Sequence, residues 1–371
     1  MKKTAIFLAV LFLLAVFPLM PKAAPSVSAK SAVLIDADTG RILYEQDAHT
    51  RRGMASTTKI MTALVAIENA STDTLISVDP RACGVEGSSV YLFENEKITV
   101  ETLLYALMLQ SANDAAEALA YEIAGSIEAF ADMMNERADT LGLTATHFEN
   151  PHGLDGETHY TTAYELALIA AEALENEIFA KIVSTEKKAV ALHNGTATRL
   201  LVNHNRLLRE YEDIIGVKTG FTKKCGRTLV SAAERNGVRL ICVTLNDGND
   251  WQDHRALLDY GFSLYGEISL AEAGALVYDV PVCGGTADSV TVSNTEPLSA
   301  MLPNTHGEIK TVIELPRFLY AGFRKGDAVG KAVFYADGER IGEVKLYAEN
   351  GIAVQKEEKN FWRKLFPFWS Q

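Results

Sequence analysis

The chain has 371 residues, 48% of them hydrophobic and 22% charged, which is ordinary for a globular protein with room for two domains. Its formal net charge of -13 argues against nucleic acid as a partner, because nucleic-acid binders present a basic surface to the phosphate backbone.

Residues 1–29 predict an export signal. Lys2 and Lys3 form a basic start, and residues 5–20 form an apolar run that is short for a membrane span. Residues 27–29 (Val-Ser-Ala) offer a cleavage site. If the signal stays uncut, the same run would be a poor N-terminal anchor. We therefore expect an exported protein.

The predicted elements then run from strands to helices and back to strands. This order is typical of an α+β domain whose antiparallel sheet joins the two ends of the domain. Hydrophobic spacing and turn residues predict these elements in chain order. They are a hairpin over 32–44, a buried helix from Ser56, helices 99–110, 114–124, 127–141 and 162–174, strands 189–192, 199–202, 217–221, 227–232 and 238–245, and a helix over 251–264.

The residue pattern of the sequence changes after about residue 266. Short alternating strands lie between Gly, Pro, Asn and Asp turns, which predicts a small all-β domain. The strands are 289–292, 309–315, 332–334 and 342–346. We expect a first domain over 30–266, the β-domain over 267–350 and a tail over 351–371.

Four cysteines occur in the chain, without a Cys-x-x-Cys pair: Cys83, Cys225, Cys242 and Cys283. Metal ligation is therefore not suggested. Export would permit disulfides in any of three pairings, but the spacing favours free thiols.

The most informative stretch is the buried helix that begins near Ser56. Residues 60–67 are apolar or small on every side of the helix, so the polar residues at its start are unexpected. Ser56 and Lys59 are three residues apart and share one helix face. A serine hydroxyl is a weak nucleophile until a base takes its proton, and a lysine in a dry site near other cations can be that base. This stretch therefore predicts an activated serine.

Ser-x-x-Lys alone is a weak pattern, because Ser184 and Lys187 match it too. No apolar helix follows this second match. We interpret it as a coincidence at the surface.

Two further motifs follow in order. Ser111 and Asn113 lie between two apolar helices, where polar side chains can point into a cleft; the alternative is an ordinary helix cap. Lys218, Thr219 and Gly220 lie on a short predicted strand; the alternative is a solvated strand end. The three motifs together indicate one site.

With their surrounding sequence, these motifs resemble the penicilloyl-serine transferases. Within that superfamily the chain is similar to low-molecular-mass penicillin-binding proteins that act as serine-type D-Ala-D-Ala carboxypeptidases. The resemblance runs from about Lys30 to Phe262 and includes residues 54–62, 109–115, 150–155, 216–222 and 258–262. It implies a β-lactamase/transpeptidase-like fold followed by a small β-domain.

The resemblance implies a covalent reaction on Ser56. Ser56 would attack the carbonyl between the last two D-alanines of a peptidoglycan stem peptide, with Lys59 as its base. Ser111 would relay a proton to the leaving D-alanine, and Asn113 would hold a substrate amide. Water would then hydrolyse the acyl-enzyme without a metal or organic cofactor. β-Lactam antibiotics would be covalent inhibitors.

The resemblance also assigns the substrate contacts. Lys218 would attract the terminal carboxylate of the peptide by its positive charge, and Thr219 would hydrogen-bond that carboxylate. Gly220 would let an extended substrate lie close to the strand, because it has no side chain. The N–H groups of Ser56 and Phe221 would form the oxyanion hole.

Some relatives carry an arginine near the end of the domain that binds the substrate carboxylate, and Arg255 is the candidate here. His152 and Asp155 also invite a catalytic interpretation. We expect their loop, residues 148–156, to be structural instead, because buried polar contacts retain such residues too.

Three other functions stay open at this point. A β-lactamase would need a deacylating base such as Glu149, a wall-binding protein would keep the fold without catalysis, and a zinc peptidase would use His147, His152 and His159. The role in vegetative wall or spore cortex also stays open.

The last 16 residues, 356–371, predict a membrane contact. At about 100° per residue, an aromatic and aliphatic face (Phe361, Trp362, Leu365, Phe366 and Trp369) lies opposite a basic face (Lys356, Lys359, Arg363 and Lys364). This pattern is typical of a helix in a membrane interface. The alternative is a tail packed on the β-domain, and Pro367 would end the helix early. We expect the enzyme at the outer face of the cytoplasmic membrane.

Overall fold

The computed structural model describes residues 23–192, 194 and 196–355. Residues 1–22 of the predicted export signal lie outside the described residues, and so does the predicted membrane-binding stretch, residues 356–371. Two compact units divide the chain. The first contains the described residues up to 233 together with 240–264, and the second contains 234–239 and the described residues from Tyr265 onward.

The first unit mixes helices and strands. Its strands are β1 (Ser31–Asp36), β2 (Ile42–Gln46), β3 (Leu75–Ser77), β4 (Lys97–Thr99), β5 (Lys187–Leu192), β6 (Ala197–Val202), β7 (Ile214–Thr222), β8 (Gly226–Arg235, which enters the second unit at its tip) and β9 (Val238–Leu245). Its helices are α1 (Lys59–Asn69), α2 (Val100–Leu109), α3 (Asn113–Ala124), α4 (Ile127–Thr140), α5 (Ala163–Leu174), α6 (Glu177–Val183), α7 (Leu207–Glu210) and α8 (Asp250–Ser263).

One five-stranded sheet in the order β2-β1-β9-β8-β7 organises this unit. β1 pairs antiparallel with β9, and Ser31 lies opposite Leu245, so the first and last strands of the unit meet as predicted. α1 is buried over eight consecutive residues because its sequence is apolar or small all round. The helices form one large core with the sheet. The predicted α+β class is confirmed.

The second unit is built from strands. They are β10 (Tyr265–Ala271), β11 (Val277–Cys283), β12 (Ser289–Ser293), β13 (Leu298–Pro303), β14 (Ile309–Glu314), β15 (Leu319–Tyr320), β16 (Ala328–Ala336) and β17 (Glu339–Ala348). Six of them form a sheet in the order β14-β16-β17-β12-β11-β15, and β10 pairs with β13. The prediction of a small β-rich region is confirmed.

The structure corrects several element predictions. The helix expected from Ser56 begins as a 3-10 turn over Ala55–Thr58, and the α-helix starts at Lys59. The prediction missed α6 and α7, which are short. It also missed β10, β11, β13 and β15, since their sequences lack a clean alternation. Among the described residues, no helix combines the length and the apolar composition needed to cross a bilayer.

Candidate active site

Ser56 lies on the 3-10 turn that precedes α1. Two side chains of the turn stabilise its backbone. Thr57 Oγ1 donates a 2.5 Å hydrogen bond to Met54 O, and Thr58 Oγ1 donates one of 2.8 Å to Ala55 O. Ala55 has φ +49°, a left-handed conformation that costs a non-glycine residue about 1–3 kcal/mol. The surroundings therefore impose this backbone on the residue before Ser56.

Lys59 is fully buried, and its Nζ lies at the centre of three contacts. It is 3.1 Å from Ser56 Oγ, 2.7 Å from Asn113 Oδ1 and 2.5 Å from the carbonyl oxygen of His152. A neutral amine has two N–H donors and one lone pair. Asn113 Oδ1 and His152 O accept the two donors, which leaves the lone pair for the hydroxyl proton of Ser56.

The pKa of Lys59 is well below its ordinary value. Desolvation by burial is the largest cause, and the positive charge of Lys218 adds to it, while Asp114 opposes both. Because each lowering cause penalises the charged ammonium, the neutral amine is available at a lower pH than for a hydrated lysine. Lys59 is therefore equipped to act as a base.

Ser111 lies in the short connection between α2 and α3, Asn113 is the first residue of α3, and both are buried. The helix-cap alternative is wrong, since Ala112 occupies the cap position and no side chain caps α3. Ser111 has φ +60°, a second strained non-glycine residue in this site. The Asn113 side chain instead joins Lys59 Nζ to the carbonyl oxygen of Glu86, at 2.7 and 2.6 Å.

Asp114 follows in the first turn of α3 and fixes the segment that covers Asn113. Its carboxylate accepts a 2.5 Å hydrogen bond from Ser89 Oγ and two of about 3.1 Å from the N–H groups of Val90 and Leu92. The sequence prediction did not single out this residue, because an acidic residue at a helix start has no distinctive pattern.

Lys218 lies on β7 and is also buried. Burial lowers its pKa to about 7, and its Nζ donates a 2.9 Å hydrogen bond to Thr219 O. The alternative of a solvated strand end is therefore wrong for Lys218. Thr219 is half-buried, and Phe221, two residues on, is exposed.

Gly220 has a packing role, and its predicted role beside an extended substrate stays a prediction. A Cβ at this position would lie 2.9 Å from Ser56 N and 2.4 Å from Thr228 Oγ1. The missing side chain therefore faces the turn of Ser56. It allows β7 to pack against that turn, and Thr228 Oγ1 fastens β8 there by donating to Met54 O at 3.1 Å.

The loop over 148–156 closes the site from another side. Gly153 has φ +89°, and a Cβ there would be 1.9 Å from Ala55 O. Asp155 Oδ1 accepts hydrogen bonds from Thr222 Oγ1 at 2.9 Å and Cys225 Sγ at 3.0 Å, which tie the loop to the end of β7. His152 supplies its backbone carbonyl to Lys59. These contacts support the structural interpretation of the loop.

The three histidines that a zinc peptidase would use each contact different residues. His159 Nε2 bonds Thr58 Oγ1 at 2.7 Å, its Nδ1 accepts from Glu149 N, and burial lowers its pKa to about 4. His147 Nδ1 lies 2.8 Å from Thr158 O, and His152 Nε2 is 3.5 Å from Glu117. Within the described part of the chain, no group of three or more His, Cys, Asp or Glu residues could hold a metal ion.

Glu149, the deacylating base that a β-lactamase would need, makes its hydrogen bonds within its own loop. Glu149 Oε1 accepts from the N–H and the hydroxyl of Thr158, at 2.6 and 2.5 Å. Its other oxygen lies 1.5 Å from where a Cβ on Gly156 would be. The hydrogen bonds from Thr158 lower the pKa of Glu149, which is folded into its own loop.

Arg255, the arginine candidate from the sequence, pairs its guanidinium with Glu210. Arg227 is the arginine next to the motif. It lies directly across from Phe221 in the β7–β8 ladder, on the face shared with Thr219. Its Nε donates a 2.9 Å bond to the buried Asp250. Sequence reasoning missed Arg227, since only the strand register brings it to this place.

Comparison with known proteins agrees with this geometry. Residues 19–249 match the family model described as D-alanyl-D-alanine carboxypeptidase, and residues 265–353 match that of the penicillin-binding protein 5 C-terminal domain. The chain belongs to the D-alanyl-D-alanine carboxypeptidase family. The two matches favour the carboxypeptidase interpretation over the β-lactamase, wall-binding and zinc-peptidase alternatives.

Two relatives and two solved structures show how far the likeness extends. D-alanyl-D-alanine carboxypeptidase DacF of Bacillus subtilis is 33% identical, with 89% of this chain and 86% of the relative covered. DacA of Escherichia coli is 31% identical over 93% of this chain and 87% of the relative. Penicillin-binding protein 5 from Haemophilus influenzae matches with TM-score 0.63 at 29% identity, over 89% of this chain and 98% of that one. DacD from Francisella tularensis matches with TM-score 0.63 at 28% identity, over 91% and 96%.

Proposed function

We propose that this family member removes the terminal D-alanine from peptidoglycan stem peptides through an acyl-enzyme on Ser56. The observation that carries the proposal is the arrangement around Lys59 Nζ, which is 3.1 Å from Ser56 Oγ and bonded to two acceptors. Family membership supplies the substrate class.

In acylation, Lys59 takes the hydroxyl proton as Ser56 Oγ attacks the carbonyl carbon of the penultimate D-alanine. The carbonyl oxygen becomes an oxyanion, which N–H groups of Ser56 and Phe221 stabilise. The peptide C–N bond then breaks, and the leaving D-alanine amine receives a proton that Lys59 gives up through Ser111. An ester on Ser56 remains.

Deacylation reverses these roles. Lys59 takes a proton from water, whose oxygen attacks the ester carbon, and Ser56 Oγ recovers a proton as it leaves. The products are the shortened peptide and free enzyme, so the cycle needs no metal or organic cofactor. A β-lactam would acylate Ser56 by the same first step, with its ring nitrogen as the leaving group.

The test is to incubate the purified enzyme with a peptide ending in D-Ala-D-Ala and, separately, with penicillin. We expect one D-alanine released per peptide, and a mass adduct on the peptide fragment that contains Ser56. An adduct on the fragment that contains Ser184, or none, would contradict the proposal.

The terminal carboxylate would be held on the motif strand. Lys218 supplies positive charge, Thr219 supplies a hydroxyl, and Arg227 brings a guanidinium to the same face of the sheet. Arginine suits this task because its fork of donors can bind Asp250 and a second carboxylate together. Asn113 would hold a substrate amide.

A matched pair of variants tests Arg227. We expect Arg227→Leu to slow acylation by a peptide with a free carboxylate about tenfold, while a C-terminally amidated peptide, already slow, changes little. Arg255→Leu serves as the control and should leave both rates alone. Equal losses with both peptides would show that Arg227 acts through the fold and not on the carboxylate.

The location is part of the proposal. We infer that residues 1–29 direct export, residues 30–266 form the catalytic domain, residues 267–350 form the β-domain, and 351–371 hold the enzyme at the outer face of the cytoplasmic membrane. Deleting residues 356–371 keeps the described pairing of Val354 with Gly285. Most of the truncated, signal-processed enzyme should then leave washed membranes and still bind penicillin. Unchanged sedimentation with membranes would contradict the anchor.

A further inference from the structure

An exposed aromatic edge lies in the second unit. Phe318 is 46% exposed and Tyr320 is 76% exposed, and their rings meet edge to face at 5.4 Å. Val354 is 61% exposed, and one of its methyl groups lies 3.5 Å from where a Cβ on Gly322 would be. We call Phe318, Tyr320 and Val354 the aromatic edge. Grouped apolar side chains left in water mark a contact surface more often than isolated ones do.

Three cations lie along the segment that carries this edge, and two exposed acids, Glu314 and Asp327, flank it, with Asp327 accepting a 2.8 Å bond from Arg324 N. Arg317 precedes Phe318, Arg324 and Lys325 follow Phe323, and all three cations are exposed. Residues 316–325 contain no acidic side chain, although the chain as a whole carries a net charge of -13. The edge therefore complements an anionic partner.

The described chain also ends at this edge. Residues 352–355 run beside the aromatic edge, with Gly322 N donating to Ile352 O at 2.8 Å and Gln355 N to Gly284 O at 2.9 Å. The 16 residues after Gln355 are those with the amphipathic pattern. The membrane contact predicted for residues 356–371 would therefore begin next to the aromatic edge.

We propose that the aromatic edge, with Arg317, Arg324 and Lys325, binds the surface of an anionic lipid bilayer. Aromatic side chains favour the depth of the lipid head groups, and each nearby cation strengthens binding to anionic lipid about fivefold. The chain's own tail is a poorer occupant, because residues 356–371 are net basic and would meet three cations. A second copy is also a poorer one, since β15 is only two residues long and offers little edge for strand pairing.

Cys283 gives a direct probe of the edge. It is exposed and is the register partner of Tyr320 across β11 and β15. The full-length, signal-processed chain is labelled at Cys283 with an environment-sensitive dye, and peptide mapping verifies the position. On adding vesicles of phosphatidylcholine with phosphatidylglycerol, we expect a blue shift that lipids brominated in their acyl chains quench.

The matched control places the dye on the opposite edge of the same sheet. Lys310→Cys, combined with Cys283→Ser, puts it on β14 at the far end of the strand order. Its emission should not change with vesicles. The proposal is overturned if both dyes respond alike, or if the Cys283 dye is already shielded in buffer and vesicles leave it unchanged, which would place the tail or a second copy over the edge.

Vesicle affinity supplies an independent measurement. Phe318→Ser with Tyr320→Ser should weaken binding about tenfold, whereas Tyr91→Ser with Phe93→Ser, which removes exposed aromatics from the first unit, should not. Equal affinity of the Phe318/Tyr320 variant and the unaltered chain would overturn the proposal. Penicillin labelling of Ser56 in each variant monitors the fold, and its loss in all proteins would count against the proposed chemistry rather than the edge.

Discussion

Ser56–Lys59 and Ser184–Lys187 share a sequence spacing but lie in different surroundings. Ser56 is half-buried on a tight turn, and Lys59 is fully buried 3.1 Å from its hydroxyl. Ser184 follows the last residue of α6 and is exposed, and its hydroxyl donates to Lys181 O at 3.2 Å. Lys187 is exposed on β5.

The difference teaches that the pattern carries chemistry only where the fold removes water from the lysine. Desolvation is the largest cause of the lowered pKa of Lys59, and the positive charge of the buried Lys218 is the second. The exposed Lys187 has no such environment. Asn113 and His152 then point the Lys59 amine at one serine.

The largest effect should come from removing the two hydroxyls in turn. Ser56→Ala should reduce penicillin acylation and peptide hydrolysis by at least about 10⁴-fold, because no nucleophile remains. Ser184→Ala should change neither rate. Both are measured with fluorescent penicillin and released D-alanine, and thermal unfolding verifies that each variant is folded. Substantial labelling of Ser56→Ala would break the comparison.

Replacing the lysines separates base from charge. Lys59→Arg keeps the positive charge but cannot give up a proton, so acylation should fall about 10³-fold. Lys218→Arg keeps the attraction for the carboxylate and should lose only about tenfold. Single-turnover acylation rates measure both, with Lys187→Arg as the unaffected control. Equal losses at Lys59 and Lys218 would show that the two lysines do not have distinct tasks.

Much of the fold and of this site could be predicted before the structure. The run of small and apolar residues after Lys59 specifies a helix that must be buried. Asn236 and Gly237, a typical turn pair between the strands predicted over 227–232 and 238–245, specify the hairpin of β8 and β9. Both signals are local. The class and the three motifs followed from such signals and from the family resemblance.

What could not be predicted depends on contacts between distant segments. The packing role of Gly220 could not be predicted, because only the packing of β7 on the turn shows that its missing side chain faces Ser56 N. Arg227 reaches the motif face only through the β7–β8 register. The carbonyl of His152, 93 residues from Lys59, has no sequence signal because every residue carries one.

The loop that seals Lys59 gives a smaller, sharper test. Gly153→Ala would force a side chain to within 1.9 Å of Ala55 O at a positive φ, so unfolding free energy should fall by about 2–5 kcal/mol. Gly84→Ala also has a positive φ but meets nothing within 4 Å, and should cost about 1 kcal/mol. Denaturant unfolding measures both. Similar costs would mean that the loop does not pack tightly on the turn of Ser56.

The central claim is that burial and Lys218 together make Lys59 a neutral base, and the pH dependence of acylation tests it most directly. Only the neutral amine accepts the Ser56 proton, so the rate rises with pH through the pKa of Lys59, and a lowered pKa moves that rise to lower pH. The account predicts that the rate of penicillin acylation rises with a midpoint well below 10.5, and that Lys218→Met, by removing a positive charge, moves the midpoint upward. A midpoint near 10.5, or one that Lys218→Met leaves in place or lowers, would contradict it.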